Sequence, residues 1–423
     1  MTRLTASTSA PPMRDCRGCH GTLDPILNLG DIQLTGYLAP DEPARPTAPL
    51  FLCACSECTL VQLAHTVPRD LLFTQYWYRS AVNETMQAEL AGLVDQAVAR
   101  VGGLRAGDLV LDIGANDGTL LSRYPTYEPQ VMRLAYEPAE NLQPSVRQHA
   151  DLVLPEYFPD QFRQIHTLGG QVRIITSIAM IYAVDDLAPF LTAVAALLAP
   201  DGVWIVQFQD LAGMLKMTAF DNIVHEHLCY FSLESFANLL GPYGLTVTDA
   251  EHRTINGGSL RLTVQHRGQP VSPRVARLRA EEAGCQDWAS LERFAWRVEV
   301  ATKQIRAAIA LRRTAGRVVD LYGASTKANT LLQVCGLTRA WLRQAWERSP
   351  EKVGLRTAGT DIPIVSEETG RAEPPDALLV GIWQFRPGVV LREAAFLDGG
   401  GTLIFPLPAV DLVSQRWRRH AHA

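Results

Sequence analysis

Three ionisable side chains, His225, Glu226 and His227, stand together in FDNIVHEHLCYFS (Phe220 to Ser232), inside an otherwise apolar run. Imidazoles and carboxylates exchange protons near neutral pH, so the triplet offers a general base with a neighbour to assist it. A half-buried loop that satisfies its imidazoles locally is the plainer alternative. Cysteine forms the second chemical set. Four of the eight cysteines make two C-x-x-C knuckles, Cys16 and Cys19 in DCRGCHG, then Cys55 and Cys58 in CACSECTL. Each knuckle can present two thiolates to one tetrahedral ion, so the two together predict a structural zinc site. Unpaired buried thiols and a redox pair compete with this reading. A redox pair would follow a strand in a βαβ unit, which APPMRDCRGC does not resemble. Cys53 is assigned to packing.

A third set surrounds glycines. GDLVLDIGANDGTLLSRYP reads as an apolar strand, a turn and a helix start, with D-x-G-x-x-x-G running from Asp112 through Gly114, Asn116 and Asp117 to Gly118. Further on, RLAYEPAEN ends another apolar strand with Glu137 and Pro138. A carboxylate there can accept both hydroxyls of a ribose. A dinucleotide would prefer G-x-G-x-x-G, and Asp117 would repel its phosphates. S-adenosylmethionine carries no phosphate and fits better.

The elements that must position these groups follow from periodicity. VRIITSIAMIYAV (Val172 to Val184) and GVWIVQFQD (Gly202 to Asp210) read as strands flanking the helix LAPFLTAVAALLAPDG, which stops at Pro200-Asp201-Gly202. This alternation predicts a parallel sheet with its ligand at the carboxyl ends of the strands, and the H-E-H loop lies beyond one such end. Residues 271–316 read as a charged helical connection. After it, RVVDLYGAS enters another glycine turn, Ser325 is placed to cap the helix TKANTLLQVCG, and Lys327 and Asn329 lie in its first turn. A helix N-terminus beside a lysine suits a diphosphate, although the same turn occurs with no ligand. DALLVGIWQF and GTLIFPLP supply more strands. The expected parts are 1–70, 71–270, 271–316 and 317–423.

Composition narrows the class. A chain of 423 residues is too long for one ordinary core, and 47% hydrophobic with 20% charged residues describes a globular protein. The net charge of -5 leaves no broad basic footprint for nucleic acid, since only the tail QRWRRH (Gln415 to His420) clusters positive charge. No apolar run is long enough to span a membrane, and MTRLTASTSAPPMR lacks the hydrophobic middle of a signal peptide, so a cytoplasmic protein is expected.

Taken in order, the knuckles, QYWYRSAVNETM, VLDIGANDGTLL, YEPAEN, HEHLCYFS, NGGSLRLTV, LYGASTKANTLLQ and GGTLIFPLP make the chain resemble, over nearly its whole length, the zinc-containing S-adenosylmethionine-dependent sugar C-methyltransferases of antibiotic deoxysugar pathways. The resemblance implies an α/β fold of three parts: a small zinc-binding module, a Rossmann-like class I methyltransferase domain, and a second Rossmann-like domain that no longer binds the cofactor but helps hold the substrate. It implies methylation of a carbon next to a ketone on a dTDP-4-keto-6-deoxyhexose, or at an epimerisable neighbouring carbon. Aligned on "EH", the family's Glu and His fall on Glu226 and His227. His227 is then the base, Glu226 orients it through a hydrogen bond, and His225, more a bystander to the proton transfer, stands with Ser325, Lys327 and Asn329 among the expected substrate-binding residues. Two departures touch the expected pocket: Val224 stands where the family usually has tyrosine, and Tyr182 where it often has histidine. Tyr182, Tyr76 or Tyr78 could donate to an enolate oxygen. An O- or N-methyltransferase acting on a sugar or another small molecule needs no enolate and is the alternative. A zinc-knuckle RNA methyltransferase fits the acidic balance poorly, and a binding protein with a dead core fits the intact motifs poorly. The expected assembly is a monomer or weak homo-oligomer acting on a small molecule, without nucleic acid or membrane.

Overall fold

The computed structural model describes residues 14–126, 131–169 and 172–415; the stretch before Arg14 and the basic residues 416–420 of the tail lie outside them. The N-terminal module is built from β1 (Leu23–Gln33), β2 (Tyr37–Leu38), β3 (Thr47–Cys55) and β4 (Val61–Leu63). β3 pairs antiparallel with both β1 and β4, and Cys53 on β3 is fully buried, as a packing residue should be.

The second part holds eight strands: β5 (Leu109–Ile113), β6 (Met132–Tyr136), β7 (Leu152–Leu154), β8 (Val172–Ile178), β9 (Leu198–Gln209), β10 (Cys229–Tyr230), β11 (Leu245–Arg253) and β12 (Ser259–His266). Seven of them form one sheet in the order β11-β12-β9-β8-β5-β6-β7. β5 to β9 run parallel, and β12 inserts antiparallel between β9 and β11. Every residue of β5 is buried, as in a sheet covered on both faces. This is the class I methyltransferase arrangement of a Rossmann-like sheet. Two boundaries differ from the periodicity. β8 ends at Ile178 because Ala179 turns to φ +54, and a tight helical turn over Ile181–Ala183 follows. The next helix ends at Leu197, and Leu198 already pairs with Val172 before the Pro-Asp-Gly stretch, which the strand absorbs as an irregularity.

Helices Pro273–Glu282 and Trp288–Thr314 make the connection, the longer one burying Leu291, Phe294, Val298, Ala301, Ile305 and Ile309 along one stripe. The last sheet takes β13 (Val319–Tyr322), β14 (Ala345–Glu347), β16 (Ile364–Ser366), β17 (Ala377–Val380), β18 (Thr402–Phe405) and β19 (Asp411–Val413), with the short β15 (Arg356–Thr357) outside it. Its order is β16-β14-β13-β17-β18-β19, parallel except for β19.

The N-terminal module joins the other two parts. β10, which follows the H-E-H triplet directly, pairs with β4 and completes the module's sheet as β1-β3-β4-β10, while β2 pairs with β15. One continuous apolar core accordingly contains residues of all three parts. Among the described residues, no helix is long and apolar enough to cross a membrane.

Candidate active site

The turn after β5 is shaped by backbone needs. Gly114 has φ +74, and a Cβ there would stand 3.1 Å from Met180; Gly118 has φ +82 and would press on Val146 and His149. Gly114 N–H donates to the Tyr136 carbonyl at 2.9 Å, which sets the turn beside the end of β6. There Glu137 accepts from Asn116 N–H at 2.6 Å and Ala139 N–H at 2.8 Å. Burial pushes its carboxyl up to about 7 against those two amides, with Asp112 and Asp117 adding to the rise. Asp112 is buried too, takes a 2.6 Å bond from Thr176, and is likewise raised to about 7 by burial. Three carboxylates around one turn disfavour phosphate and suit a sulfonium cation, so the residues fit S-adenosylmethionine. Asp117 is committed to the loop itself: it accepts from Ala81 N–H at 2.8 Å and from Thr119. Asn116 likewise holds the Tyr78–Ser80 backbone. Pro138 follows Glu137 half-buried.

Across this turn lie the groups that could move a proton. His227 Nδ1 sits 3.1 Å from the Asn222 carbonyl. A carbonyl only accepts, so Nδ1 carries the proton and Nε2 keeps its lone pair. The ring leans on Tyr182, centroids 4.1 Å apart. Burial, helped by the positive charge of Lys327, lowers the His227 pKa to about 3. Glu226 accepts from Thr35 of the N-terminal module at 3.3 Å, and burial pushes it up to about 7 against Thr35 and Arg45. The charges bearing on Tyr76 are those of Glu226, Tyr182, Tyr78 and Glu137; burial raises its pKa, and that of Tyr182, well above the usual range. Tyr78 is raised to about 12 by burial and Asp117. All three phenols therefore stay protonated as donors.

Three expectations about side chains change. Glu226 does not orient His227: neighbouring residues send their side chains apart, and a main-chain carbonyl does the orienting. His225 turns away from the cluster, is buried, and brings Nε2 to 3.1 Å from the Ala48 carbonyl on β3. Asn329 is buried and occupied, donating to the Ala358 and Gly36 carbonyls and accepting from Gln333. Ser325 caps its helix through Ala328 N–H at 3.0 Å. Lys327, in that helix's first turn, faces Asp221, a fully buried carboxylate that also takes a 2.8 Å bond from Trp383. The C-terminal part thus reaches the floor of the H-E-H loop. Asp221 lies in the same segment as the triplet, and its place between Lys327 and Trp383 has no local signal in the sequence. Asn141 in YEPAEN brackets the Tyr76 backbone at 3.0 and 2.9 Å.

The four knuckle cysteines converge. Their sulfurs lie within 4.8 Å of one another, with Cys16 and Cys58 at 3.5 Å and Cys19 and Cys55 at 3.4 Å. Zinc bonds of about 2.3 Å require sulfur separations of about 3.8 Å, so the set fits the ion after a slight expansion. Amides of Gly18, Glu57 and Cys58 point at the sulfurs. Arg17, inside the first knuckle, is buried and donates to Gln62 at 3.0 Å and to Asp185 of the second part at 3.1 Å.

Comparison with known proteins finds three sequence signatures in the chain. The sequence signature of a zinc binding domain covers residues 16–73, a methyltransferase domain 82–250, and a C-methyltransferase C-terminal domain 254–408. The C-methyltransferase NovU of Streptomyces niveus is 32% identical over 412 residues, 95% of this chain and 97% of its own. Among solved structures, magnesium protoporphyrin IX methyltransferase (ChlM) from Synechocystis PCC 6803 with bound SAM gives a TM-score of 0.31 at 16% identity, over 42% of this chain and 78% of its own. A S-adenosylmethionine-dependent methyltransferase from Clostridium acetobutylicum ATCC 824 gives 0.33 at 10% identity, over 43% of this chain and 92% of its own.

Proposed function

The chain belongs to the S-adenosylmethionine-dependent C-methyltransferases that carry an N-terminal zinc-binding domain, and from that premise we propose that it methylates the carbon next to a ketone of a nucleotide-linked deoxysugar, dTDP-linked, through a base-generated enolate. S-adenosylmethionine, held by Glu137 and the Gly114–Gly118 turn, supplies the methyl group as an electrophile. The carbon must first become nucleophilic. His227 Nε2 takes the α-proton while the C–H electron pair passes into the ketone, and Tyr76 or Tyr182 donates to the oxygen that gains charge. Tyr78 closes the turn from the outside. The nucleotide's diphosphate is assigned to the N-terminus of the helix Thr326–Cys335, beside Lys327. The observation that carries the reading is the fixed tautomer: a histidine whose Nδ1–H is tied to the Asn222 carbonyl presents Nε2 as an acceptor, with its ring against the phenol of Tyr182.

A second assignment of the base has its own support. His227 at about 3 is a weak base, whereas Glu226 at about 7 is matched to neutral operation. The two assignments differ in pH dependence. A Glu226 base must be deprotonated, so kcat/KM rises as pH climbs through about 7 and Glu226→Gln removes both the rise and the activity. A His227 base is already deprotonated there, and no such limb belongs to it. Exchange of the α-proton of the keto-sugar into deuterated water, with S-adenosylhomocysteine in place of the methyl donor, isolates the proton step. Product made from a panel of nucleotide sugars and labelled donor must carry the new methyl on carbon. A methyl on oxygen, or no exchange, overturns the enolate reading.

A further inference from the structure

Apart from the methyl-transfer groups, three side chains on different elements converge without a role in the steps above. Asp210 follows β9 and caps the helix Leu211–Lys216, accepting from Ala212 and Gly213 N–H at 2.9 Å each. Glu282 ends the helix Pro273–Glu282. Its Oε2 accepts from Leu233 N–H at 2.8 Å, while its Oε1 is buried with no hydrogen-bond partner. His252 on β11 brings Nδ1 to 3.7 Å from Asp210 Oδ2. One ligand atom from each of the three lies within 4.8 Å of the other two.

Both carboxylates are only 6% exposed, and the charges bearing most on Glu282 are Asp210, Glu281 and Glu234, all of its own sign. Two buried carboxylates side by side, one with an unsatisfied oxygen, are unfavourable unless a proton or a cation neutralises them, and only a cation also gives the His252 ring a partner at this point. His252 leaves the third side open, being 43% exposed. We propose that Asp210, His252 and Glu282 bind one divalent transition-metal cation, with water completing its shell on the open side. Two carboxylate oxygens with one imidazole nitrogen favour manganese, cobalt or zinc over magnesium or calcium, which take all-oxygen sets. The 3.7 Å between His252 and Asp210 already suits two ligands on bonds of about 2.1 Å. The position has a consequence. Asp210 stands at the start of the excursion 211–232 that carries Glu226 and His227, and Glu282 grips Leu233 at its end, so the cation ties the two ends together.

The test uses full-length protein with zinc at the four cysteines and Mn2+ as the probe, followed by the electron paramagnetic resonance of free Mn2+. One Mn2+ per chain is expected, with His252→Ala and Glu282→Gln each weakening it on the order of 10- to 100-fold. Mn2+ should raise the thermal midpoint of the wild type at concentrations that leave that of His252→Ala unchanged. His252 is exposed, so its variant decides the matter even where Glu282→Gln does not fold. Failure to bind Mn2+ at millimolar concentration, or equal affinity in wild type and His252→Ala, overturns the assignment.

Discussion

In the methyltransferase sheet, Gly114 N–H donates to the carbonyl of Tyr136 and the next residue is Glu137; in the C-terminal sheet, Gly323 N–H donates to the carbonyl of Trp346 at 3.0 Å and the next residue is Glu347. Both glycines have positive φ, and both turns lead from a parallel strand toward a helical segment. Their surroundings diverge. Both carboxylates accept from backbone amides, Glu347 from Arg348 and Ser349 N–H at 2.8 and 3.0 Å, but Glu137 looks into a turn framed by further carboxylates. Glu347 meets Lys352 at 3.4 Å, and Lys352 and Tyr37 both donate to the Ala324 carbonyl, at 3.0 and 2.6 Å. Ile382 stands 2.8 Å from where a Cβ of Gly323 would be. At Gly323 and Ala324, where a cofactor would lie in the first turn, the second is filled by protein, and Tyr37 comes from the zinc-binding module; the proposed diphosphate lies beyond that point, at the helix end beside Lys327. A glycine motif therefore specifies a path for the backbone, while a remote part of the chain decides whether a ligand can use it.

That contrast can be broken most forcefully by taking away the zinc. The module supplies both Tyr37 and the strand β4 that holds β10, and structural zinc contributes about 10 to 16 kcal/mol in small domains. Chelation should abolish turnover, and hydrogen exchange should show Cys229 and Tyr230 losing protection together with Gln62 on β4. Retained protection at those two residues would mean that β10 stands without the module.

The next largest effect belongs to the open turn's chemistry. His227→Ala should bind S-adenosylmethionine normally and lose on the order of 10² to 10⁴ in kcat. His225→Ala should act on the melting temperature, because its ring serves β3. Equal loss of turnover in both variants would refute the division between them.

A smaller effect sharpens the comparison directly. Glu137→Ala should weaken S-adenosylmethionine binding by roughly 1.5 to 3 kcal/mol, the worth of hydrogen bonds to a charged group. Glu347→Ala should leave that affinity unchanged and lower stability. Calorimetry should find one cofactor per chain in each; two would show that the second turn is usable. The smallest change is Tyr37→Phe, expected to cost about 0.5 to 1.5 kcal/mol in urea unfolding by losing the bond to Ala324.

Local features read well from sequence because they are local in physics. The knuckle cysteines, the Gly114–Gly118 turn, Glu137 at a strand end and the cap at Ser325 each depend on a few neighbouring residues. What failed depends on residues far apart or on main-chain carbonyls. Adjacency suggested that Glu226 assists His227, yet Thr35 and the Asn222 carbonyl are their partners. A carbonyl has no identity in a sequence. Asn329 looked available for a ligand because nothing nearby reveals that Gly36 and Ala358 approach it. The same holds for Cys229 and Tyr230, which look like part of the second domain and pair with the first.

That pairing also bears on how the chain is made. β4 is complete at Leu63, but its partner β10 begins at Cys229. Synthesis at about 5 to 20 residues per second leaves an interval on the order of 10 s in which the nascent module has its cysteines and an uncovered strand edge. An uncovered edge invites wrong partners. Zinc captured early would hold the knuckles in register until β10 emerges, so metal supply during translation bears on the yield of correctly assembled enzyme.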